Sequence, residues 1–263
     1  MIFFRRGERT TRGAPAIPAG KRLYVIGDIH GRLDLLRLLE RQIEQDLATA
    51  PREVATIFLG DYIDRGNESA HVLEKLGAGA FCTPFIALRG NHDDVFLRFL
   101  RDASVLASWR RFGGLETLHS YGVDVAEAMR GAGFERAQIA LKQALPPRHV
   151  AFLANTPLCH DVGDYFFCHA GVRPGVALEK QSADDLLWSR SEFLDFRGSF
   201  GKIVVHGHTP TPEPEVKPNR INLDTGAYAS AILTALVLEG EQRRFLSTKM
   251  RRTEARVGVD YAM

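Results

Sequence analysis

The chain is poor in cysteine, and what little it has is not arranged for chemistry. Cys82, Cys159 and Cys168 are odd in number and contain no C-x-x-C spacing, which argues against a disulfide framework and against a thiolate zinc site. They read as small buried apolar residues. Long hydrophobic runs are also missing: the apolar stretches are strand-sized, too short to span a bilayer. Met1-Ile2-Phe3-Phe4 is far shorter than the apolar region of a signal peptide and is followed directly by Arg5 and Arg6, so a cytoplasmic protein is expected. Neither sign of charge dominates. The 34 Lys and Arg face 32 Asp and Glu, a net charge of +2, which gives no case for a nucleic-acid or membrane partner. No repeat of solenoid length is present, and nothing in the sequence speaks to oligomeric state.

What remains is a globular composition, 45% hydrophobic over 263 residues, that suits one large domain with an inserted subregion. Residues 1–20 carry Arg5, Arg6, Arg9 and Arg12 among Gly, Thr and Pro and read as a mobile basic arm. The domain is expected over 21–248, with a C-terminal tail at 249–263. Leu23-Tyr24-Val25-Ile26 is a short apolar run ending in Gly27, followed by Leu36, Leu39, Ile43 and Leu47 at helical spacing. The same strand, loop and helix recur from Ala55 to Leu76 and from Phe85 to Leu100. Strands alternating with helices predict a parallel sheet. Residues 95–157 have helical spacing broken at Gly113-Gly114, Gly131 and Pro146-Pro147, and read as a helical insertion. Beyond Pro157, runs at Tyr165–Cys168, Ile203–Val205, Ile221–Leu223, Ile232–Leu238 and Arg244–Leu246 predict a second, mostly antiparallel sheet. Thr209 to Asn219, with Pro210, Pro212, Pro214 and Pro218, reads as a loop.

Five predicted strands end in polar, glycine-flanked clusters: Gly27-Asp28-Ile29-His30-Gly31, Gly60-Asp61-Tyr62-Ile63-Asp64-Arg65-Gly66, Arg89-Gly90-Asn91-His92-Asp93, His169-Ala170-Gly171 and His206-Gly207-His208-Thr209. Ligands of open α/β sheets bind beyond the carboxyl ends of the strands, so these clusters converge in space. Asp, Asn and His without cysteine suit hard or borderline divalent ions such as manganese, iron or zinc. There are more candidate ligands than a single ion takes, which points to two. Each Gly-Asp or Gly-Asn pair alone is ordinary turn chemistry; five, each closing a strand, are not.

Together these segments resemble the phosphoprotein phosphatase family of calcineurin-like metallophosphoesterases, in its bacterial or phage-type serine/threonine phosphatase branch. GDIHG at 27–31, GDYIDRG at 60–66, RGNHD at 89–93, HAG at 169–171 and HGHTP at 206–210 follow that family's ordered pattern. The resemblance implies a two-sheet α/β sandwich flanked by helices and two divalent ions, manganese favoured. It implies Asp28 and His30 on the first ion, Asp61 bridging, and Asn91, His169 and His208 on the second. His206 then lies behind the ligands or in the core. Pro210 stands where related nucleases and purple acid phosphatases carry a further histidine, which favours the phosphoprotein phosphatase branch. His92 matches the general acid and Asp64 the carboxylate that orients it and raises its pKa. Arg65, Arg89 and Arg190 match arginines that clamp phosphate, with Arg190 preferred over Arg197. Asp224 either bonds a ligating histidine or forms a turn.

The expected reaction is in-line attack on phosphorus by a water activated between the metals, without a phosphoenzyme. Phosphate monoesters demand accelerations approaching ~10²¹, and general acid catalysis supplies only about 10²–10⁴, so the metals carry most. The leading expectation is dephosphorylation of phosphoserine or phosphothreonine in proteins, on the strength of GDYIDRG. The alternative is hydrolysis of a dinucleoside polyphosphate such as diadenosine tetraphosphate, or of a nucleotide. GNHD occurs in such enzymes, although symmetrically cleaving members usually lack the DRG text. A metal-binding scaffold without turnover is a minor third reading. Specificity is expected to reside in residues 95–157 and 172–200.

Overall fold

Strand β1 (Lys21–Ile26) divides the core in two. Successive side chains of a strand point to opposite faces: Leu23 and Val25 enter one apolar cluster, Tyr24 and Ile26 another. The first cluster also takes Tyr165, Phe167, Val205 and Ile221 from a second sheet, so the two sheets pack face to face. The second cluster is filled from the helices, including Leu36, Leu39, Leu73 and Phe96. On the far side of the second sheet, Phe166, Cys168 and Val204 meet Leu186 and Phe193. Two sheets are thus enclosed by helices on both outer faces, the sandwich expected from the sequence. The structure is a computed structural model and describes residues 13–249.

The first sheet contains β1, β2 (Glu53–Phe58) and β3 (Phe85–Ala87), mutually parallel and linked by α1 (Leu33–Asp46) and α2 (Ser69–Gly77). The second contains β4 (Cys159–Val162), β5 (Tyr165–Cys168), β6 (Ile203–His206), β7 (Glu215–Val216) and β8 (Arg220–Asn222). The last two strands, β9 (Thr234–Glu239) and β10 (Gln242–Ser247), return to the first sheet, giving the order β10-β9-β1-β2-β3. The expectation that they belong to the second sheet is therefore corrected. β9 is buried along almost its whole length because it lies between β1 and β10 within a covered sheet. The second sheet is also mixed rather than mostly antiparallel, with β5–β6 and β6–β8 parallel. β7 falls within the segment expected to be all loop, between Pro214 and Pro218.

The segment read as an insertion over 95–157 is mostly helical, and its first helix begins before residue 95. α3 (Asn91–Phe99) takes Asn91 and His92 into its first turn. Then follow α4 (Leu106–Trp109), α5 (Gly114–Ser120), α6 (Ala126–Met129), α7 (Phe134–Ala144) and α8 (Pro147–Ala154). Pro147 opens α8, where a missing N–H costs nothing. α9 (Ala183–Trp188), α10 (Ser191–Asp195) and α11 (Ala227–Ser230) complete the α-helices of the described residues.

The body begins before residue 21. Ile17 is buried between the sheets and its N–H donates to Gly240 O at 3.1 Å, while Asp164 N donates to Ala16 O at 2.9 Å. One apolar side chain among Gly, Pro and Ala carries no periodicity, which is why the sequence read this segment as arm. Residues 1–12 of the expected arm and 250–263 of the expected tail lie outside the described residues; Lys249 pairs with Glu213 at 3.1 Å.

Candidate active site

Five strands drawn from both sheets, β1, β2, β3, β5 and β6, deliver their carboxyl ends to one place. The turns that follow them are strained. Among the described residues six non-glycine positions have positive φ, and five of them are His30, Asp61, Asp64, Arg65 and His208. Such conformations cost of order 1–3 kcal/mol each for residues other than glycine, so strain is concentrated where the clusters converge. Two glycines are required by close approach. A Cβ on Gly90 would stand 2.1 Å from Asp61 Oδ1, and one on Gly207 would stand 2.0 Å from Asp28 Oδ1.

Asp61 is the hub. His30 Nε2 and His169 Nε2 each lie 3.5 Å from Asp61 Oδ2. Asn91 Oδ1 lies 2.8 Å from His169 Nε2 and 2.9 Å from His208 Nδ1, and those two nitrogens are 3.2 Å apart. His30 Nδ1 faces Ile63 O at 2.7 Å and His169 Nδ1 faces Leu59 O at 2.9 Å. A backbone carbonyl accepts only, so each ring must donate there and turn the lone pair of Nε2 inward. The lone pairs of His169 and Asn91 and a carboxylate oxygen of Asp61 then face one another, with His208 Nδ1 beside them. Asp28 sits at the edge, accepting from His208 N at 3.1 Å.

The electrostatics sharpen this. Burial drives His30 down to about 3 and His208 to about 2, and lowers His169 as well, so these imidazoles are neutral. Burial would also raise Asp61, yet positive charge on His169, His92, His30 and His208 is what would pull it below the ordinary carboxylate range. His30, His169 and His208 cannot be neutral and also supply that charge, which leaves only His92 to provide it. Asp28 is raised well above its ordinary value by burial and by Asp224 and Asp61. Cations resolve both conflicts, and the donor set accommodates them: His30, Asp61 and His92 form one group of converging ligand atoms and Asp61, His169 and His208 a second, sharing Asp61.

His92 differs from the other histidines. Its Nδ1 lies 2.6 Å from Asp64 Oδ2 and its backbone N–H donates to Asp61 Oδ1 at 3.0 Å. Burial opposes the charged ring, but Asp61 and Asp64 outweigh it and raise the pKa. Asp64 is itself held by the insertion: Trp109 Nε1 donates to Oδ2 at 2.7 Å and Thr117 Oγ1 to Oδ1 at 2.6 Å.

The model of the calcineurin-like phosphoesterase family matches residues 21–233. The chain belongs to that family. Relatives named asymmetrical bis(5'-nucleosyl)-tetraphosphatase PrpE are 28% identical in Anoxybacillus flavithermus over 234 residues and 28% in a Bacillus cereus strain over 240 residues, each match covering 81% of this chain and 88% of the relative. Among solved structures, a provisionally assigned diadenosine tetraphosphatase is similar with a TM-score of 0.60 and 20% identity, over 89% of this chain and 98% of that one. A cold-active protein tyrosine phosphatase is similar with a TM-score of 0.54 and 16% identity, over 88% and 81% of the two chains. These structural likenesses concern the fold. The chain is thus a metallophosphoesterase, and no helix of its described residues is long and apolar enough to cross a membrane.

Two of the three arginines expected to clamp phosphate reach the site of this phosphoesterase. Arg65 and Arg190 line a cavity of about 150 Å³ with Asp61, Asn91, His92 and His208. Arg65 Nη2 is 3.3 Å from His92 Nε2, and its guanidinium stacks on Tyr228 at 4.4 Å. Arg89 does not come to the cavity. Its guanidinium donates to Leu153 O, Ala154 O and Thr156 O at 3.0–3.3 Å, tying β3 to the end of α8; the text RGNH cannot tell which way the side chain turns. Arg197 lines a separate cavity with Lys202 and Asn219.

His206 faces away from the ligands, with Nδ1 3.0 Å from Gly207 O, Nε2 3.4 Å from Arg220 Nη1 and its ring edge-on to Phe193 at 4.9 Å. His206→Phe is therefore expected to leave metal content unchanged by elemental analysis; loss of one ion would show that the wrong histidine was chosen. Among the described residues Asp224 bonds none of the candidate ligand histidines: it accepts from Gly226 N at 2.9 Å, as a turn residue does, and its carboxyl contacts Asp28.

Several supporting residues were not singled out for chemistry in the sequence. Asp93 accepts from Asp61 N, Tyr62 N and Gly90 N at 2.8–3.1 Å, locking two clusters together; its signal was the Asp that follows GNH. Trp109 and Thr117 lie within the helically spaced stretch 95–157, and nothing in their spacing marks them. Trp109→Phe removes the N–H and keeps an apolar ring. It is expected to slow phosphoesters with poor leaving groups by about 10- to 100-fold, as one hydrogen bond to a carboxylate of roughly 1.5–3 kcal/mol is lost, and aryl esters much less. An equal loss on both ester types would make Trp109 a packing residue only.

Proposed function

We propose that this phosphoesterase hydrolyses a dinucleoside polyphosphate, with Asp28, His30, Asp61, Asn91, His169 and His208 holding two divalent ions, manganese favoured. The observation that carries this is the mouth of the catalytic cavity. Phe112 and Trp188 line it and are 58% and 41% exposed, an arrangement suited to stacking bases, each worth about 1–3 kcal/mol. A cavity of about 150 Å³ admits a phosphoryl group but falls short of the roughly 300–1,000 Å³ of a site that encloses a whole ligand. The nucleoside must therefore lie at the aromatic rim. The names of the relatives support the same class.

When bound, the ions would supply Lewis-acid polarisation of the phosphoryl oxygens and acidify water. The chain supplies the rest. Arg65 and Arg190 hold the oxygens on which charge accumulates. His92 gives its proton to the departing oxygen and Asp64 fixes the ring that does so. One P–O bond forms to water oxygen and the bridging P–O bond breaks with its electron pair going to the leaving phosphate, which takes the proton of His92; one proton of the water restores His92 and the other stays on the products. The N-terminus of α3, which carries Asn91 and His92, adds a favourable field for the anion.

Dephosphorylation of phosphoserine or phosphothreonine proteins, the leading expectation from GDYIDRG, is the second reading. The Asp64–His92 pair serves both. Assaying diadenosine tetraphosphate and a phosphoserine peptide on one preparation separates them. The first is expected to have a kcat/KM higher by about tenfold or more, the worth of one stacked base; the reverse order would install the second reading.

A further inference from the structure

We propose that a second cavity beyond Trp188 receives the second nucleoside of the substrate, an inference that rests on the dinucleoside polyphosphate reading. This cavity, about 320 Å³, shares Trp188 and Arg190 with the catalytic cavity and is otherwise lined by residues such as Arg173, Asp184, Ser189 and Glu192. Its size falls where small-molecule sites begin.

The walls are built in advance. Gln181 braces the loop, with Oε1 accepting from Arg173 N at 2.7 Å and Nε2 donating to Arg173 O and Val176 O at 3.1 and 3.0 Å. Ser182 and Asp185 cap α9 reciprocally, and Asp185 Oδ1 holds Arg173 Nε at 3.1 Å. A site fixed before binding loses less entropy when it is filled.

Its charge selects the ligand. Asp184, Asp185 and Glu192 outnumber Arg173 and Arg190 on the lining, which disfavours phosphate inside. Carboxylates accept hydrogen bonds from ribose hydroxyls and from the amino groups of bases, and the Trp188 ring offers a stacking face. Arg190, which belongs to both cavities, stands where the polyphosphate would pass between them. A compound with two nucleosides joined by phosphates matches this arrangement, whereas one nucleoside leaves the second cavity empty.

The test compares diadenosine tetraphosphate with adenosine 5'-tetraphosphate, which lacks the second nucleoside, as a ratio of kcat/KM that cancels any loss of folded enzyme. In the metal-loaded wild type the ratio is expected to favour the dinucleoside by about tenfold or more. Ser191→Trp, at an exposed position lining the cavity, is expected to bring the ratio toward one, and Asp184→Ala to lower it less. A wild-type ratio near one, or a ratio unmoved in both variants, overturns the second site while leaving nucleotide hydrolysis standing. If neither nucleotide is cleaved while a phosphoserine peptide is, the nucleotide reading fails and the second site falls with it.

Discussion

Asp61→Asn is expected to lose bound metal and activity together. Among the described residues Asp61 is the one carboxylate shared by both groups of converging ligand atoms, with Oδ2 facing His30 and His169 at 3.5 Å. Asn preserves shape and removes charge. It also tolerates the left-handed backbone, φ 54°, at this position, and its carbonyl oxygen can still accept from His92 N. The fold is therefore retained and the electrostatic consequence isolated. A substitution behind the ligands typically costs 10- to 100-fold in metal affinity; replacing the shared ligand is expected to cost more, and the rate to fall by over ~10⁴, since general acid catalysis alone supplies no more than that. Metal content after dialysis and kcat on the same sample check this. A variant that keeps both ions at the wild-type rate would remove Asp61 from the hub.

His92→Asn is expected to do the opposite with metal: both ions stay and kcat falls by about 10²–10⁴. Asp64 remains held by Trp109 and Thr117 in the absence of the imidazole, so the neighbouring turn keeps its form. The loss should grow with the pKa of the leaving group, because a good leaving group departs without a proton. Since the raised pKa of His92 keeps the ring protonated to higher pH, the wild-type rate is expected to decline on the alkaline side as the proton is lost, and this limb should be absent from the variant. Equal loss across leaving groups would assign His92 to metal binding, as its place in the group with His30 and Asp61 allows.

The turns of the candidate site were legible because each is a local signal: a short apolar run stops at a glycine-flanked cluster of Asp, Asn or His. That the runs converge followed from the geometry of α/β sheets. Orientation was not legible. Arg89 and Arg65 both stand in motif text, yet one ties down α8 and the other stacks on Tyr228 in the site. Trp109 shows the same limit, since its place on a helix announces a core ring and says nothing of the N–H that reaches Asp64. Strand partners were equally hidden. The run from Thr234 declares a buried strand, but only the packed sheets show that it pairs with β1. The order of the two substrate readings changed for a related reason: GDYIDRG describes the chemistry at phosphorus, while Phe112 and Trp188 at the rim bear on what the phosphorus is attached to.

The central claim is a shared-carboxylate site for two divalent ions that is required for hydrolysis. Metal analysis of the purified protein, paired with turnover on the same sample before and after chelation and readdition, tests it most directly. Two ions per chain are expected, with activity lost on chelation and restored by manganese. Full activity in a sample containing no divalent ion would contradict the account.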